Sequence, residues 1–113
     1  MNTKIPGTCG EVIAFNYLKQ NNYKILNTNF TFKIGEIDII ATKDDVLIFV
    51  EVKARSSKKF GLPREAVTPY KQNKIKMVAS YYIQKTKSYN INCRFDVIEI
   101  LGDDINHIKN AFI

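Results

Sequence analysis

Gly35-Glu36-Ile37-Asp38-Ile39-Ile40 and Phe49-Val50-Glu51-Val52-Lys53 are two apolar stretches in which a charged residue recurs at every second position. Their β-branched residues favour strands, and alternate side chains of a strand share one face. The two acids of the first stretch are therefore predicted on one face, as are Glu51 and Lys53 of the second. Because a buried unpaired charge costs several kcal/mol, carboxylates among Ile, Val and Phe indicate a bound cation.

The segment between the two stretches, Thr42-Lys43-Asp44-Asp45, is rich in turn-forming residues and predicts a hairpin. A register with Ala41 opposite Val46 places Glu36 across from Glu51 and all four charged side chains on one face. Opposed residues of a hairpin have Cβ atoms about 5 Å apart, which suits carboxylates that share a small divalent cation. Mg²⁺ is typically held by one or two carboxylates together with waters and substrate phosphate.

A surface hairpin with an ion pair among Glu36, Glu51 and Lys53 is the alternative interpretation, because charges often alternate on the open face of an antiparallel sheet. The interleaved residues Ile40 and Phe49 are also apolar, so both faces of these strands are predicted to be buried for much of their length. Burial favours the metal site, while spacing alone leaves the surface ion pair open.

Composition predicts an ordinary globular chain, since 45% of its 113 residues are hydrophobic and 25% are charged. This length predicts one domain that covers residues 1–113. No stretch approaches the roughly 18 apolar residues of a membrane span, and the first residues lack the apolar core of a signal peptide. Cys9 and Cys93 form no metal-binding cluster, although the sequence also allows a single disulfide between them. We therefore expect a cytoplasmic protein with no membrane partner.

Positive charge is concentrated in the middle of the chain. Residues 1–52 carry 5 Lys/Arg and 6 Asp/Glu, residues 53–91 carry 10 and 1, and residues 92–113 carry 2 and 4. The acidic stretch thus leads directly into a segment of net charge +9. Such a segment draws in a polyanion and binds its phosphates, which favours nucleic acid over the alternative of a solvated basic helix without a partner.

The remaining patterns predict the element order α-β-β-β-α-β, with a short further strand at the end. Residues 8–21 form the first predicted helix, and Thr68-Pro69 is a strong start for a second helix that runs to about Thr86. A helical crossover permits parallel pairing in a mixed sheet. The predicted strands cover Tyr23–Phe32, Ile34–Ala41, Val46–Ala54, Arg94–Leu101 and Asn106–Phe112.

Glu11 is the one charged residue on the apolar stripe of the first helix, which also contains Ala14, Phe15 and Leu18. An acid in the first turn of a helix is favoured by the helix dipole, and from the pattern alone this interpretation is preferred. The alternative is a further carboxylate that reaches the metal site through a water.

These motifs, in this order, resemble the PD-(D/E)XK nuclease superfamily with its restriction-endonuclease-like fold. Within it the chain is most similar to the YraN family of small bacterial proteins, which is often compared with archaeal Holliday junction resolvases. The resemblance implies an α/β fold, an αβββαβ core with a central mixed sheet flanked by helices. One departure is Ile37, which stands before Asp38 where the superfamily name has proline. The further matching segments are Gly10-Glu11, Phe60-Gly61, Ala66-Val67, Lys71-Gln72, Arg94-Phe95-Asp96-Val97 and Asn110-Ala111-Phe112.

The resemblance also implies roles for individual residues. Asp38 and Glu51 would ligate Mg²⁺ or Mn²⁺, and Glu11 would complete the metal surroundings from the first helix. Lys53 would position the attacking water or stabilise phosphate charge. Glu36 would be a supporting carboxylate.

Substrate contacts are expected from the basic half of the chain. Gln72, together with Lys71, would lie beside the metal site and touch the substrate backbone or the water. The residues expected to bind nucleic-acid phosphates are Arg55, Lys58, Lys59, Arg64, Lys71 and Lys74.

The function implied is a metal-dependent endonuclease that hydrolyses DNA phosphodiesters and is structure-specific, with Holliday-junction-like substrates. A symmetric cut of two strands would require a homodimer. One alternative is a nucleic-acid-binding module on a nuclease scaffold with little or no turnover, because fold does not fix function. Another is an RNA-directed or recombination-linked factor that acts only with a protein partner.

Two further expectations concern the end of the chain. Arg94 and Asp96 alternate on a predicted strand and therefore share a face, where a structural ion pair is favoured over a catalytic role. His107, the only histidine, is expected at the surface or at a strand edge.

Overall fold

The computed structural model describes residues 9–33, 35–55 and 67–112. In these residues the predicted order of elements is confirmed, and their bounds lie close to those expected from the sequence. Residues 56–66, between the predicted third strand and the second predicted helix, lie outside the described residues. None of the described helices is long and apolar enough to cross a membrane. The elements are α1 (Cys9–Gln20), β1 (Lys24–Phe32), β2 (Gly35–Lys43), β3 (Val46–Arg55), α2 (Pro69–Thr86), β4 (Asn92–Leu101) and β5 (Asp104–Phe112).

The five strands form one mixed sheet in the order β1-β2-β3-β4-β5. β3 and β4 are parallel, whereas the other neighbouring pairs are antiparallel. The parallel pair is the one whose connection contains α2, so the predicted helical crossover is confirmed. This α/β architecture is compatible with a restriction-endonuclease-like core.

The β2–β3 hairpin turns over two residues, because Lys43 pairs with Val46. Asp44 and Asp45 have φ angles of 53° and 63°, the two left-handed residues that a type I′ hairpin turn requires. The predicted pairing of Ala41 with Val46 is therefore wrong by two residues. An even shift preserves which face each side chain occupies, and it moves Asp38 into alignment with Glu51.

The two helices cover opposite faces of the sheet. On one face, Ala14 and Leu18 of α1 pack with Ile39 and Ile48 in a buried cluster. On the other face, one apolar stripe of α2 packs against Phe49 and Ile40. Because both faces are covered, the central strands β2 and β3 are apolar on both sides. The stripe consists of Ile75, Val78, Ala79 and Tyr82, all of them buried.

The start of α2 is fixed by its cap. Thr68 has an extended backbone, its side chain accepts a hydrogen bond from the Lys71 amide at 3.2 Å, and Pro69 follows it. This is the arrangement that Thr-Pro predicts at a helix N-terminus. The cap places the first turn of α2, and hence Lys71, beside β2 and β3.

Gly35 allows α2 to approach β2 closely. A Cβ atom at this position would lie 2.6 Å from Val78 Cγ2, well inside van der Waals contact. The absence of a side chain at Gly35 is therefore a packing requirement.

We expect Gly35→Ala to lower the free energy of unfolding by about 1–3 kcal/mol, because it overpacks the α2 contact. Chemical denaturation measures this loss. Combining it with Val78→Ala removes the methyl group that clashes, so the double variant should lose less stability than the sum of the two single variants. Strictly additive losses would contradict the proposed contact.

Candidate active site

The regular alternation of β2 breaks at Asp38. Ile37 packs in the cluster beneath α2, whereas Ile39, two positions later, packs in the cluster beneath α1. On β1, Asn29 lies between the pairs Thr28–Ile39 and Phe30–Ile37 and has a φ angle of 49°. Asn tolerates this left-handed conformation better than most residues. Strict alternation, which placed Glu36 and Asp38 on one face in the sequence argument, therefore does not hold across Asp38.

The Asp38 side chain fills the place where β2 and β3 separate. Their ladder reaches the pair Ile39–Val50, and beyond it the Val52 amide donates a hydrogen bond of 2.8 Å to Asp38 Oδ2. Asp38 is buried, with 8% of its surface exposed. A side chain thus takes over a backbone hydrogen bond at the point where the hairpin opens.

Asp38 is held next to other carboxylates. Burial, the charge of Glu51, a hydrogen bond to Glu51 and the charge of Glu11 together raise the pKa of Asp38 to about 9, against the smaller opposing effect of the Val52 amide. Near neutral pH this raised pKa favours the protonated form of Asp38, whose carboxyl group is hydrogen-bonded to Glu51. Glu51 is itself buried, with 4% of its surface exposed. The predicted convergence of these two acids is present in the structure.

Two further acids join Asp38. One carboxylate oxygen each of Glu11, Glu36 and Asp38 lies within 4.8 Å of the other two, and Asn29 Nδ2 donates to Glu11 Oε1 at 3.3 Å. Glu11 of the first helix therefore lies beside Glu36 and Asp38, while the role toward a metal that the resemblance implied for Glu11 stays a prediction. We refer to Glu11, Glu36, Asp38 and Glu51 as the acid cluster.

Two lysines flank the acid cluster at Glu51. Lys71 from α2 forms an ion pair with Glu51 Oε2, and Lys53 Nζ lies 3.9 Å from the same oxygen. Burial and the neighbouring Lys71 lower the pKa of Lys53. Burial also opposes the charged form of Lys71, but contacts with Glu51, together with Lys53 and Asp38, raise the pKa of Lys71. The two ammonium groups thus differ in electrostatic environment although they share one partner.

The other predicted site residues lie in different settings. Gln72 Nε2 donates to the Val67 carbonyl at 2.9 Å, so in this structure the side-chain amide of Gln72 satisfies a backbone carbonyl just before α2. Arg55 Nε lies 2.7 Å from Glu99 Oε2, and 9% of the Arg55 side chain is exposed. Arg55 is therefore held in an ion pair rather than on an open surface. Lys58, Lys59 and Arg64 lie outside the described residues.

Asn29 and the Glu51 contact of Lys71 were missed by the sequence argument. Asn29 lies in Asn27-Thr28-Asn29, a polar run between the apolar residues Leu26 and Phe30. Such a run signals a local irregularity. Lys71 was expected beside the metal site, in contact with the substrate backbone or the water. Its ion pair with Glu51 was not predicted, because helix periodicity does not show which strand the side chain meets.

A second buried polar network lies on the α1 side of the sheet. Asp96, fully buried, accepts two hydrogen bonds from Arg94 and one each from His107 Nε2 at 2.7 Å and the Asn110 amide at 2.9 Å. Tyr17 bonds the other ring nitrogen of His107. The predicted Arg94–Asp96 ion pair is confirmed. His107 does lie on the edge strand β5, but its side chain is only 5% exposed, so a surface location is wrong.

This network lowers the pKa of Asp96. Burial alone would raise it, but the hydrogen bonds from His107, Arg94 and the Asn110 amide outweigh burial. The Asp96 carboxylate is therefore ionised and fully occupied by donors. Its role is structural, because the network connects β4, β5 and α1.

Comparison with known proteins identifies the family. Residues 10–100 match the model of a family described as "Uncharacterised protein family UPF0102". The chain belongs to the UPF0102 family. This is the YraN family that the sequence motifs resemble, so that prediction is confirmed. The matched range includes the whole acid cluster together with Lys53 and Lys71.

Relatives within UPF0102 align over nearly their whole length. A UPF0102 protein of Clostridioides difficile is 55% identical over 114 residues, which cover 99% of this chain and 100% of the relative. A UPF0102 protein of Caldicellulosiruptor saccharolyticus is 48% identical, with 99% and 100% covered. One from Acetivibrio thermocellus is 47% identical, with 98% and 93% covered.

The raised pKa of Asp38 predicts a pH-dependent gain in stability for Asp38→Asn in metal-free buffer with chelator. The folded protein keeps the Asp38 proton up to about pH 9, whereas the unfolded chain releases it near pH 4. The free energy of unfolding of the wild-type protein therefore falls as pH rises through this range. The advantage of Asp38→Asn should grow by up to about 1.4 kcal/mol per pH unit between about pH 5 and pH 8.

Chemical denaturation at several pH values measures this slope. Asp103→Asn, at an exposed turn position, is the matched control and should keep the wild-type slope. An Asp38→Asn variant with the same pH dependence as wild type would contradict the buried, protonated state of Asp38.

Proposed function

We propose that this UPF0102 protein is a metal-dependent endonuclease that hydrolyses phosphodiester bonds of DNA. The observation that carries the proposal is the contact between Asp38 and Glu51 at the opening of the β2–β3 hairpin, with Glu11 and Glu36 beside it. Buried acids that repel one another destabilise a fold. Functional sites are the places where such arrangements recur.

The acid cluster fits a hard divalent cation. Its donors are carboxylate oxygens, which suit Mg²⁺ or Mn²⁺ rather than the nitrogen and sulfur ligands that favour Zn²⁺. The mutual approach of Glu11, Glu36 and Asp38 within 4.8 Å is of the scale at which carboxylates share one ion. Asp38 and Glu51 would hold the cation, with Glu11 completing its surroundings.

The chemistry expected of a bound cation is polarisation of the scissile phosphate and a lower pKa for a bound water. The side chains of the site would orient the cation and the phosphate and would balance their charges. The Val52 amide donates to Asp38 Oδ2 and so holds the carboxyl group in place, where a bound cation would replace the proton between Asp38 and Glu51. Asp38 must lose its proton to act in this way, as metal-binding carboxylates do.

Lys53 is the residue that would meet the substrate. It lies 3.9 Å from Glu51 Oε2, and its side chain is 28% exposed, so the ammonium group can reach a phosphate oxygen or a water beside the acids. Such a donor stabilises negative charge that develops in the transition state. Lys71 forms the closer ion pair with Glu51 and balances that carboxylate.

DNA is proposed from the superfamily that the motifs resemble and from the net charge of +9 on residues 53–91. Contacts from Lys and Arg to phosphates position a nucleic acid without reading its sequence. The proposed selectivity is therefore for the shape of the substrate.

The second candidate is a nucleic-acid-binding module without turnover. The ion pair between Lys71 and Glu51 favours it, because an ammonium group then satisfies a carboxylate that a metal would otherwise use. The two candidates differ in one result, which is cleavage in the presence of a divalent cation.

We predict that wild-type protein cleaves branched DNA with Mg²⁺ or Mn²⁺ and that chelator abolishes cleavage. Asp38→Asn, Glu51→Gln and Lys53→Ala should each reduce the rate at least about 100-fold, because each removes a ligand or a charge at the reacting phosphate. The panel comprises junction, flap, nicked and single-stranded DNA, with RNA in parallel.

Asp103→Asn and Lys109→Ala, both at exposed positions, are the matched controls and should cleave like wild type. Equal cleavage by wild type and by Asp38→Asn would overturn the proposal. Salt-sensitive binding without cleavage under either metal would establish the binding module instead.

A further inference from the structure

A cavity of about 280 Å³ opens between the start of β2 and the first turns of α2. Glu36 and Gly35 form its strand side, and Tyr70, Lys71 and Lys74 line its helix side. The cavity thus combines an aromatic ring, two ammonium groups and a carboxylate.

This cavity adjoins the acid cluster. Glu36 lines the cavity and also lies within 4.8 Å of Glu11 and Asp38. Lys71 lines it as well, and its ammonium group reaches Glu51. A nucleotide whose phosphate lies at the acids therefore has its base within reach of the cavity, since one sugar separates the two groups.

Tyr70 differs from the other tyrosines of α2. Tyr82 is buried in the core, and Tyr81 stacks on Phe32 with ring centroids 3.9 Å apart. Tyr70 is 69% exposed, and the Lys74 ammonium group lies 4.6 Å from its ring centroid. One ring face is thus next to a cation and the rest of the ring is open, although packing does not require an aromatic residue there.

We propose that Tyr70 and Lys74 form a platform for one unpaired nucleobase of the bound nucleic acid. The inference rests on the proposed function, because it places the phosphate of that strand at the acid cluster. Bases stack on exposed tyrosine rings irrespective of sequence, and Arg or Lys beside the ring adds phosphate attraction. Lys71 and Lys74, which both follow Tyr70 on α2 and line the same cavity, supply that positive charge.

The platform defines the substrate class. In a continuous duplex both faces of each base are covered by neighbouring base pairs, so a protein ring cannot stack on them. Unstacked bases occur in single strands, at flaps and at branch points. The preferred substrate is therefore nucleic acid with an unpaired nucleotide next to the scissile phosphate, and continuous duplex is disfavoured.

The test is binding in chelator, where cleavage is absent. Wild-type protein is titrated into a single-stranded oligonucleotide that contains the fluorescent base 2-aminopurine, and into the same sequence as a continuous duplex. Stacking should quench the fluorescence of the single strand. Tyr70→Ala should weaken single-strand binding about 5- to 150-fold and remove the quenching, whereas Tyr70→Phe should retain both.

Tyr89→Ala is the matched control, since Tyr89 is 64% exposed but lies after the end of α2 and does not line the cavity. It should bind like wild type, and circular dichroism checks the fold of each variant. Unchanged binding and quenching in Tyr70→Ala would overturn the platform, as would equally tight wild-type binding to the duplex.

Cleavage with Mn²⁺, measured on the same proteins, separates this inference from the proposed function. Quenching that depends on Tyr70 in a protein that cleaves nothing would support the platform and reject hydrolysis. Cleavage that depends on Asp38 but is indifferent to Tyr70 and to unpaired bases would support hydrolysis and reject the platform.

Discussion

The hydrogen bond from the Val52 amide to Asp38 Oδ2 lies at the point where β2 separates from β3. It satisfies a backbone donor beside the opened hairpin and at the same time holds a carboxyl group in a buried position. Glu51, the next acid, is brought to Asp38 by the register of the same hairpin. The candidate site is therefore a consequence of how the sheet opens, and the two helices add Glu11 from one face and Lys71 from the other.

The contact between the buried carboxyl groups of Asp38 and Glu51 lowers the stability of the fold. Buried carboxylates in contact raise the pKa of Asp38 to about 9, and a proton or a cation must neutralise them. The Asp96 network shows the contrast within the same sheet. There Arg94, His107 and a backbone amide satisfy the buried acid, which lowers its pKa. Donors satisfy Asp96, whereas Asp38 is one of the acids at which we propose a bound cation, and burial alone does not reveal this difference.

Much of this could be predicted from local sequence. Thr68-Pro69 located the start of α2, and alternation in Phe49–Lys53 located β3, because both depend on neighbouring residues. The register failed by two residues, since the left-handed conformations of Asp44 and Asp45 shorten the turn and the sequence does not separate this turn from a longer one. The hydrogen bond from Asn29 to Glu11 and the burial of His107 were not predictable, because each depends on contacts between residues far apart in sequence. The prediction that Asp38 and Glu51 share a face stays correct in spite of the wrong register, because a shift by two residues does not change the face of a side chain.

Binding of Mn²⁺ followed by isothermal titration calorimetry, supported by electron paramagnetic resonance of the bound ion, tests the central claim most directly. It requires no substrate and no turnover. The account predicts saturable binding to wild-type protein that is lost or much weakened in Asp38→Asn and in Glu51→Gln and unchanged in Asp103→Asn. Binding that is absent from wild type, or equal in all four proteins, would contradict the assignment of the acid cluster as a metal centre.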